Sequence, residues 1–158
     1  MAEIQDPENT LIMDTTQGRV VIQMRPDLAP NHVARIKELV REGFYDGIVF
    51  HRVIDGFMAQ TGCPYGTGTG GSGKKLRAEF NSEPHVRGTV SMARAASPDS
   101  ADSQFFICFD DARFLDGQYT VWGHVIEGME NVDKIKRGEP VVNPDRITSM
   151  RVAADVVG

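Results

Sequence analysis

The chain has 158 residues, 41 % of them hydrophobic and 25 % charged, and carries a formal net charge of −5. That length points to one domain able to bury a core without disulfide or metal staples. The acidic balance argues against nucleic-acid binding, and the lack of any run of about 18 apolar residues argues against a membrane-spanning helix.

Met1–Asn9 is polar and reads as a loose segment ahead of a domain spanning 10–158. Glu3, Asp6 and Glu8 stand where a secretory leader needs a positive start and an apolar centre, so the protein is expected in the cytoplasm. Cys63 and Cys108 fit a reducing compartment. They are expected as free thiols, the first exposed in a Gly/Pro loop and the second packed in an apolar strand.

A hairpin opens the fold, Thr10–Thr16 against Arg19–Met24 with Gln17-Gly18 at the turn. Val20, Ile22 and Met24 alternate with Arg19, Val21 and Gln23. Pro30 then starts a helix in which Val33, Ile36, Leu39 and Val40 recur at helical spacing. Arg35, Lys37, Glu38 and Arg41 hold the wet face, and Gly43 ends it. Short strands are predicted over 49–54, 58–61, 89–93, 104–109 and 120–126. A second helix is predicted from Met129 to Lys136, with Val132 and Ile135 inward and Gly138 as its stop. The last strand is read as Ile147–Val157, with Val152, Ala154 and Val156 on one face. Many short strands and two separated helices imply a mainly β protein built on an antiparallel sheet, and periodicity alone does not separate a barrel from a sandwich.

Two long loops, 62–75 and 95–102, interrupt this pattern. The first contains both G-x-G-x-x-G (66–71) and G-x-x-x-x-G-K (68–74). No apolar strand leads into it, no amphipathic helix follows, and Lys75 stands where a phosphate loop needs Ser or Thr. A flexible wall beside a binding groove is the better reading. His32, His51, His85 and His124 show no paired ligand spacing, so neither a metal nor any other cofactor is expected. They read as two exposed histidines and two strand histidines partnered by backbone, His51 among the partly buried ones. No G-x-S-x-G elbow supports a hydrolase triad.

The most informative stretch is Phe50-His51-Arg52-Val53-Ile54-Asp55-Gly56-Phe57-Met58-Ala59-Gln60. Asp-Gly between two β-prone segments reads as a hairpin turn. With a three-residue loop, Asp55–Phe57, Ile54 faces Met58 and Arg52 faces Gln60 on one side of the sheet. A two-residue loop would put Ala59 opposite Arg52 instead. Taken alone, Arg52 reads as a solvent-facing arginine paired with Asp55 or Glu79. Further along, Phe105, Ile107 and Phe109 face the core, which leaves Phe106 and Cys108 on the other face in need of a partner.

This run resembles the cyclophilin family of peptidyl-prolyl isomerases. So do Ser103-Gln104-Phe105-Phe106-Ile107-Cys108 and Phe114-Leu115-Asp116-Gly117, with Phe44-Tyr45-Asp46-Gly47, Gly68-Thr69-Gly70-Gly71 and Gly88-Thr89-Val90-Ser91-Met92-Ala93 in matching order. The short bacterial-like form is the nearest in pattern. The resemblance implies an eight-stranded closed antiparallel barrel capped by two helices. It also implies an enzyme that rotates X–Pro bonds in peptides and flexible protein segments and so assists folding, and nothing in the sequence demands more than a monomer. Arg52 and Gln60 take the catalytic positions. Phe57, Met58, Phe106, Leu115 and Tyr119 match the proline pocket, with Phe114 beside it. Ala93, Arg94 and Ala95 match the segment whose backbone holds the peptide, and Gln104 adjoins it. Phe114 replaces the family's frequent Trp, Tyr119 its His, and Arg94 its Asn. The missing indole donor implies weaker cyclosporin inhibition than in animal members. The rival readings are a module that binds prolyl segments without turnover and an acidic scaffold acting through its loops.

Overall fold

Eight strands form one antiparallel sheet ordered β3-β4-β6-β5-β7-β2-β1-β8. They are β1 (Thr10–Thr15), β2 (Gly18–Met24), β3 (Arg52–Ile54), β4 (Met58–Thr61), β5 (Thr89–Met92), β6 (Phe105–Cys108), β7 (Val121–Glu127) and β8 (Ile147–Val152). Two helices accompany them, α1 (Pro30–Arg41) and α2 (Met129–Val132). The coordinates are those of a computed structural model and describe residues 6–68, 70–139 and 141–156. The sheet curls into a half-barrel and is not fully closed: β3 and β8 remain its edges. β3 has only three residues, all paired with β4. The chain before it meets the start of β8 around a bridge of Val49 with Arg146, through Gly47 N to Ile147 O at 2.7 Å, Ile147 N to Ile48 O at 2.8 Å and Phe50 N to Asp145 O at 2.8 Å.

The inner face of the curl carries the main core. Leu11, Met13, Val20, Ile22, Phe50, Phe105, Ile107, Trp122 and Val152 meet there with the α1 residues Val33, Ile36 and Leu39. Trp122 and Tyr45 each pack edge-on against Phe105 at 5.5 Å between ring centres. α1 buries its apolar stripe against β8 and α2 lies on β2. No side chain within α1 caps its first turn. The Glu79 carboxylate does so from a distant loop, accepting from Asn31 N at 3.2 Å and His32 N at 2.9 Å. At its other end Gly43, at φ +75°, takes the left-handed conformation that stops the helix.

Several boundaries differ from the sequence reading. The first turn is Thr16-Gln17, one residue early, because Gly18 already pairs with Thr15. α2 ends at Val132, and the following turn tightens to i→i+3 bonds, Lys134 N to Asn131 O and Ile135 N to Val132 O. Val132 and Ile135 are nevertheless both buried. β8 stops at Val152 because its partner β1 begins at Thr10, and the chain there winds into a 3₁₀ turn, Ala153–Asp155. Ala154 and Val156 therefore share no strand face with Val152, and Val157 lies outside the described residues. Within the expected loose segment, Pro7–Asn9 forms a 3₁₀ turn with no buried residue, and Glu8 pairs with Lys37 and Arg41 of α1. Residues 1–5 lie outside the described residues. Arg35, expected on the wet face, is 14 % exposed and donates to Ser72 and Glu38.

Gly62 ends β4 where the backbone passes against the Ser103–Gln104 segment. A Cβ there would lie 2.4 Å from Ser103 O, and φ is +94°. Both the clash and the conformation exclude a side chain. Gly62→Ala is expected to cost at least ~2 kcal/mol and about 4–8 °C in Tm, read by thermal unfolding. An unchanged Tm would show that the two segments separate freely.

Candidate active site

Alternation along three short strands builds a second apolar cluster on the outer face of the sheet. The β3–β4 turn is Asp55–Phe57, so Arg52 pairs with Gln60 and Ile54 with Met58. The β4–β6 register continues the rows, Gln60 with Phe106 and Met58 with Cys108, and Phe106 pairs on with Ser91 of β5. One row across the sheet thus reads Arg52, Gln60, Phe106, Ser91. Met58, Phe106, Cys108 and Ala112 are buried there, packed by Ile54, Phe57, Ala93, Leu115 and Tyr119. Phe105, Ile107 and Phe109 lie in the inner core, so β6 is apolar on both faces for two different reasons.

This cluster floors a cavity of about 120 Å³ lined by Arg52, Phe57, Met58, Gln60, Ala93, Arg94, Phe106, Leu115 and Tyr119. A second cavity of about 250 Å³ shares Gln60, Ala93 and Arg94 with it and adds Ala95, Gln104, Lys75, Asp102 and the wall of the glycine loop. Every residue singled out from sequence lines one of these two, except Phe114. That ring is 68 % exposed and leans on Phe57 at 5.6 Å, at the rim.

Hydrogen bonds order the polar side of the cleft. Arg52 Nη1 donates to Gln60 Oε1 at 3.3 Å, and Gln60 Nε2 donates to Gln104 Oε1 at 3.0 Å. Gln104 Nε2 in turn donates to the carbonyls of Gly68 and Gly70 at 3.0 Å. Arg52 is bound neither to Asp55 nor to Glu79. Asp55 is held by Arg137, Glu79 caps α1, and the carboxylate on Arg52 is that of Glu139. The Arg94 guanidinium donates to the carbonyls of Gln118, Ala95 and Ala96 and lies 4.8 Å over the Tyr119 ring.

Some features of the site were not foreseen. Cys63 is buried, not exposed, and its sulfur accepts from the amides of Gly68 and Gly70 at 3.3 Å. Burial pushes this thiol up, yet the amides of Gly70, Thr67, Tyr65 and Gly68 outweigh it, and the balance lies at about 7. The glycine loop is thereby pinned from both sides, to Cys63 by its N–H groups and to Gln104 by its carbonyls. Asp102 adds bonds from Ser72 and Gly73. Cys108 is fully buried, and burial and then Asp116 push its thiol up to about 12. Beneath Phe106, His85 Nδ1 lies 2.9 Å from Asp116 Oδ1 and its Nε2 lies 3.0 Å from Ser91 Oγ. This is a Ser–His–Asp order in space, but Ser91 and His85 are both fully buried, out of reach of any substrate. The His85 ring stacks under Phe106, 6.1 Å away and 19° from parallel. His85 and Ser91 are only six residues apart, but Asp116 comes from a distant segment, so no local motif announces the set.

Residues 10–152 match the family model for cyclophilin type peptidyl-prolyl cis-trans isomerase/CLD. The chain belongs to the cyclophilin family. It is 55 % identical over 171 aligned positions to a probable peptidyl-prolyl cis-trans isomerase of Brucella suis, covering 98 % of this chain and 87 % of that one. A cyclophilin crystal structure from Hirschia baltica superposes with a TM-score of 0.89 at 33 % identity, over 96 % of this chain and 76 % of that one. A Cryptosporidium parvum cyclophilin, crystallised in the presence of the dipeptide Ala-Pro, superposes at 0.84 and 27 % identity, over 90 % of this chain and 98 % of that one. This cyclophilin is a peptidyl-prolyl cis-trans isomerase.

None of the enzyme's four histidines is exposed: His32, His51 and His85 are buried and His124 is half-buried. His32 Nε2 donates to Arg77 O at 2.8 Å, while Nδ1 of His32 and Nδ1 of His51 are buried without a partner. The ring bond expected at His51 is therefore absent at that nitrogen. Burial lowers the pKa of His32 from the usual 6.5 despite Arg77 O and Glu79. Burial and then the Arg52 charge lower that of His51, and burial and then Arg25 that of His124. Below about pH 6.5 the unfolded chain binds more protons than the native one, so this contribution is complete above that value and is lost as pH falls toward the native pKa values. The urea midpoint at about pH 5.5 is expected below that at about pH 7.5. Equal midpoints would mean that these rings are charged at no cost.

Proposed function

We propose that this isomerase turns X–Pro bonds over without covalent chemistry, with Arg52 stabilising the twisted amide. Resonance sets a barrier of ~18–20 kcal/mol to rotation about an amide, and X–Pro bonds exchange over tens to hundreds of seconds. In the perpendicular state conjugation is lost and the proline nitrogen gains a localised lone pair. A fixed cationic donor aimed at that nitrogen binds the twisted state better than either planar state, and that difference is what accelerates the step. The guanidinium is permanently charged and presents rigid donors.

One observation carries this reading: Arg52 and Gln60 sit side by side on the edge of a pocket whose floor is the apolar cluster of Phe57, Met58, Phe106 and Leu115. In this scheme Phe57, Met58, Phe106, Leu115 and Tyr119 seat the proline ring. The backbone of Ala93-Arg94-Ala95 holds the peptide, and Gln60 and Gln104 fix the polar wall. The substrates are proline-containing peptides and flexible protein segments, in keeping with the dipeptide present with the Cryptosporidium parvum relative. The protein is read as a monomer of the cytoplasm that assists proline-limited folding. Cyclosporin binds it less tightly than it binds members with a tryptophan at the rim, because Phe114 offers no N–H.

Arg52 is 41 % exposed in the open cleft, and in this scheme a seated peptide covers it. One such contact is worth about 3–4 kcal/mol in a shielded site. Arg52→Ala is therefore expected to lower kcat/KM for a prolyl peptide about 10²-fold, with Tm nearly unchanged. Unchanged turnover would remove Arg52 from the mechanism. A proline-limited refolding assay with cyclosporin should show inhibition well above the low-nanomolar range; low-nanomolar inhibition would show that the indole donor is dispensable.

A further inference from the structure

Arg52 is held from a second side. Gly138, which follows α2, forms an isolated antiparallel bridge with Val53 of β3. Gly138 and Val53 exchange both backbone bonds at 2.8 Å, and Val141 N donates to His51 O at 3.2 Å. These anchors fall on the two chain neighbours of Arg52. They deliver Glu139 to its flank, where Glu139 Oε2 lies 2.5 Å from Arg52 Nε. Arg52 Nη1 meanwhile donates to Gln60 on the other edge of the fork.

We propose that Glu139 is a positioning residue for the isomerase, gripping Arg52 Nε so that the remaining guanidinium N–H groups face the proline pocket. The inference rests on the catalytic role given to Arg52 above. An arginine side chain has several rotatable bonds, and a guanidinium left on Gln60 alone could swing about that contact. A carboxylate on Nε and an amide on Nη1 fix the plane at two points before substrate arrives. The nearby carboxylates are otherwise engaged, Asp55 by Arg137 and Asp102 by Ser72 and Gly73. Glu139 is 57 % exposed, so its contribution lies in aim and not in fold stability.

The test compares Glu139→Ala and Glu139→Gln by prolyl-peptide kinetics and by the ¹⁵N NMR signal of Arg52 Nε–Hε. Glu139→Ala is expected to lower kcat about three- to tenfold with KM and Tm little changed. Its Nε–Hε signal should move toward that of a free, fast-exchanging arginine. Glu139→Gln keeps an acceptor for Nε–H and is expected to recover most of both readouts. In an Arg52→Ala background, Glu139→Ala should have no further effect. Unchanged kcat and an unchanged Nε–Hε signal in Glu139→Ala would overturn the proposal. So would a rise in kcat shared by the Ala and Gln variants, which would mean that the carboxylate only screens the charge. If Arg52→Ala itself leaves turnover intact, the catalytic reading fails, and the NMR signal still decides whether Glu139 holds Arg52.

Discussion

A three-residue turn governs the position of every group in the cleft. Because Asp55, Gly56 and Phe57 form the β3–β4 loop, Arg52 and Gln60 become direct cross-strand neighbours, and the ladder passes that alignment to Phe106 on β6. A β4 slipped by one residue would put Ala59 opposite Arg52 and send the Gln60 amide to the core face. The catalytic geometry is thus a property of backbone register, set by a tight loop and three strands of three or four residues each. Long side chains bridge the row only after the backbone has brought them into reach.

An apolar floor open to solvent needs support from beneath. Phe106 rests on His85, which is tied to Asp116 and Ser91, and Tyr119 meets both rings edge-on. Buried polar groups that are fully bonded resist rearrangement more than a purely apolar packing does. The polar edge of the cleft is held in the same manner. The chain of contacts runs from Glu139 through Arg52, Gln60 and Gln104 to the glycine loop, and the loop is tied again to Cys63 and Asp102. The loop read from sequence as a yielding wall is fastened at three places.

Much of this was legible in the sequence, for reasons that differ by residue. Alternation with period two, a local signal, separated Phe105 and Ile107 from Phe106 and Cys108. Asp55-Gly56 marked the turn but left its length, and with it the register, open between two and three residues. The family resemblance then assigned chemistry to Arg52 that its neighbours alone would not have. What escaped was non-local. Glu139 lies far along the chain from Arg52, and the backbone bonds of Gly138 to Val53 and of Val141 to His51 bring them together. Cys63 looks exposed by composition because nothing in a Gly/Pro stretch reveals that the loop folds back over its own thiol. The end of β8 was overestimated because Ala154 and Val156 continue the alternation, whereas pairing stops where β1 does. Closure of the barrel was overstated because the brevity of β3 is invisible to periodicity.

The fate of the indole also has an optical meaning. This chain carries one tryptophan, Trp122, fully buried against Phe105 on the inner side of the sheet, while the rim position is a phenylalanine. Its emission therefore senses the interior and is screened from the cleft by the sheet itself. Ultraviolet fluorescence follows the melting of this enzyme with little interference from a bound peptide, and occupancy of the pocket has to be followed with a label on the ligand.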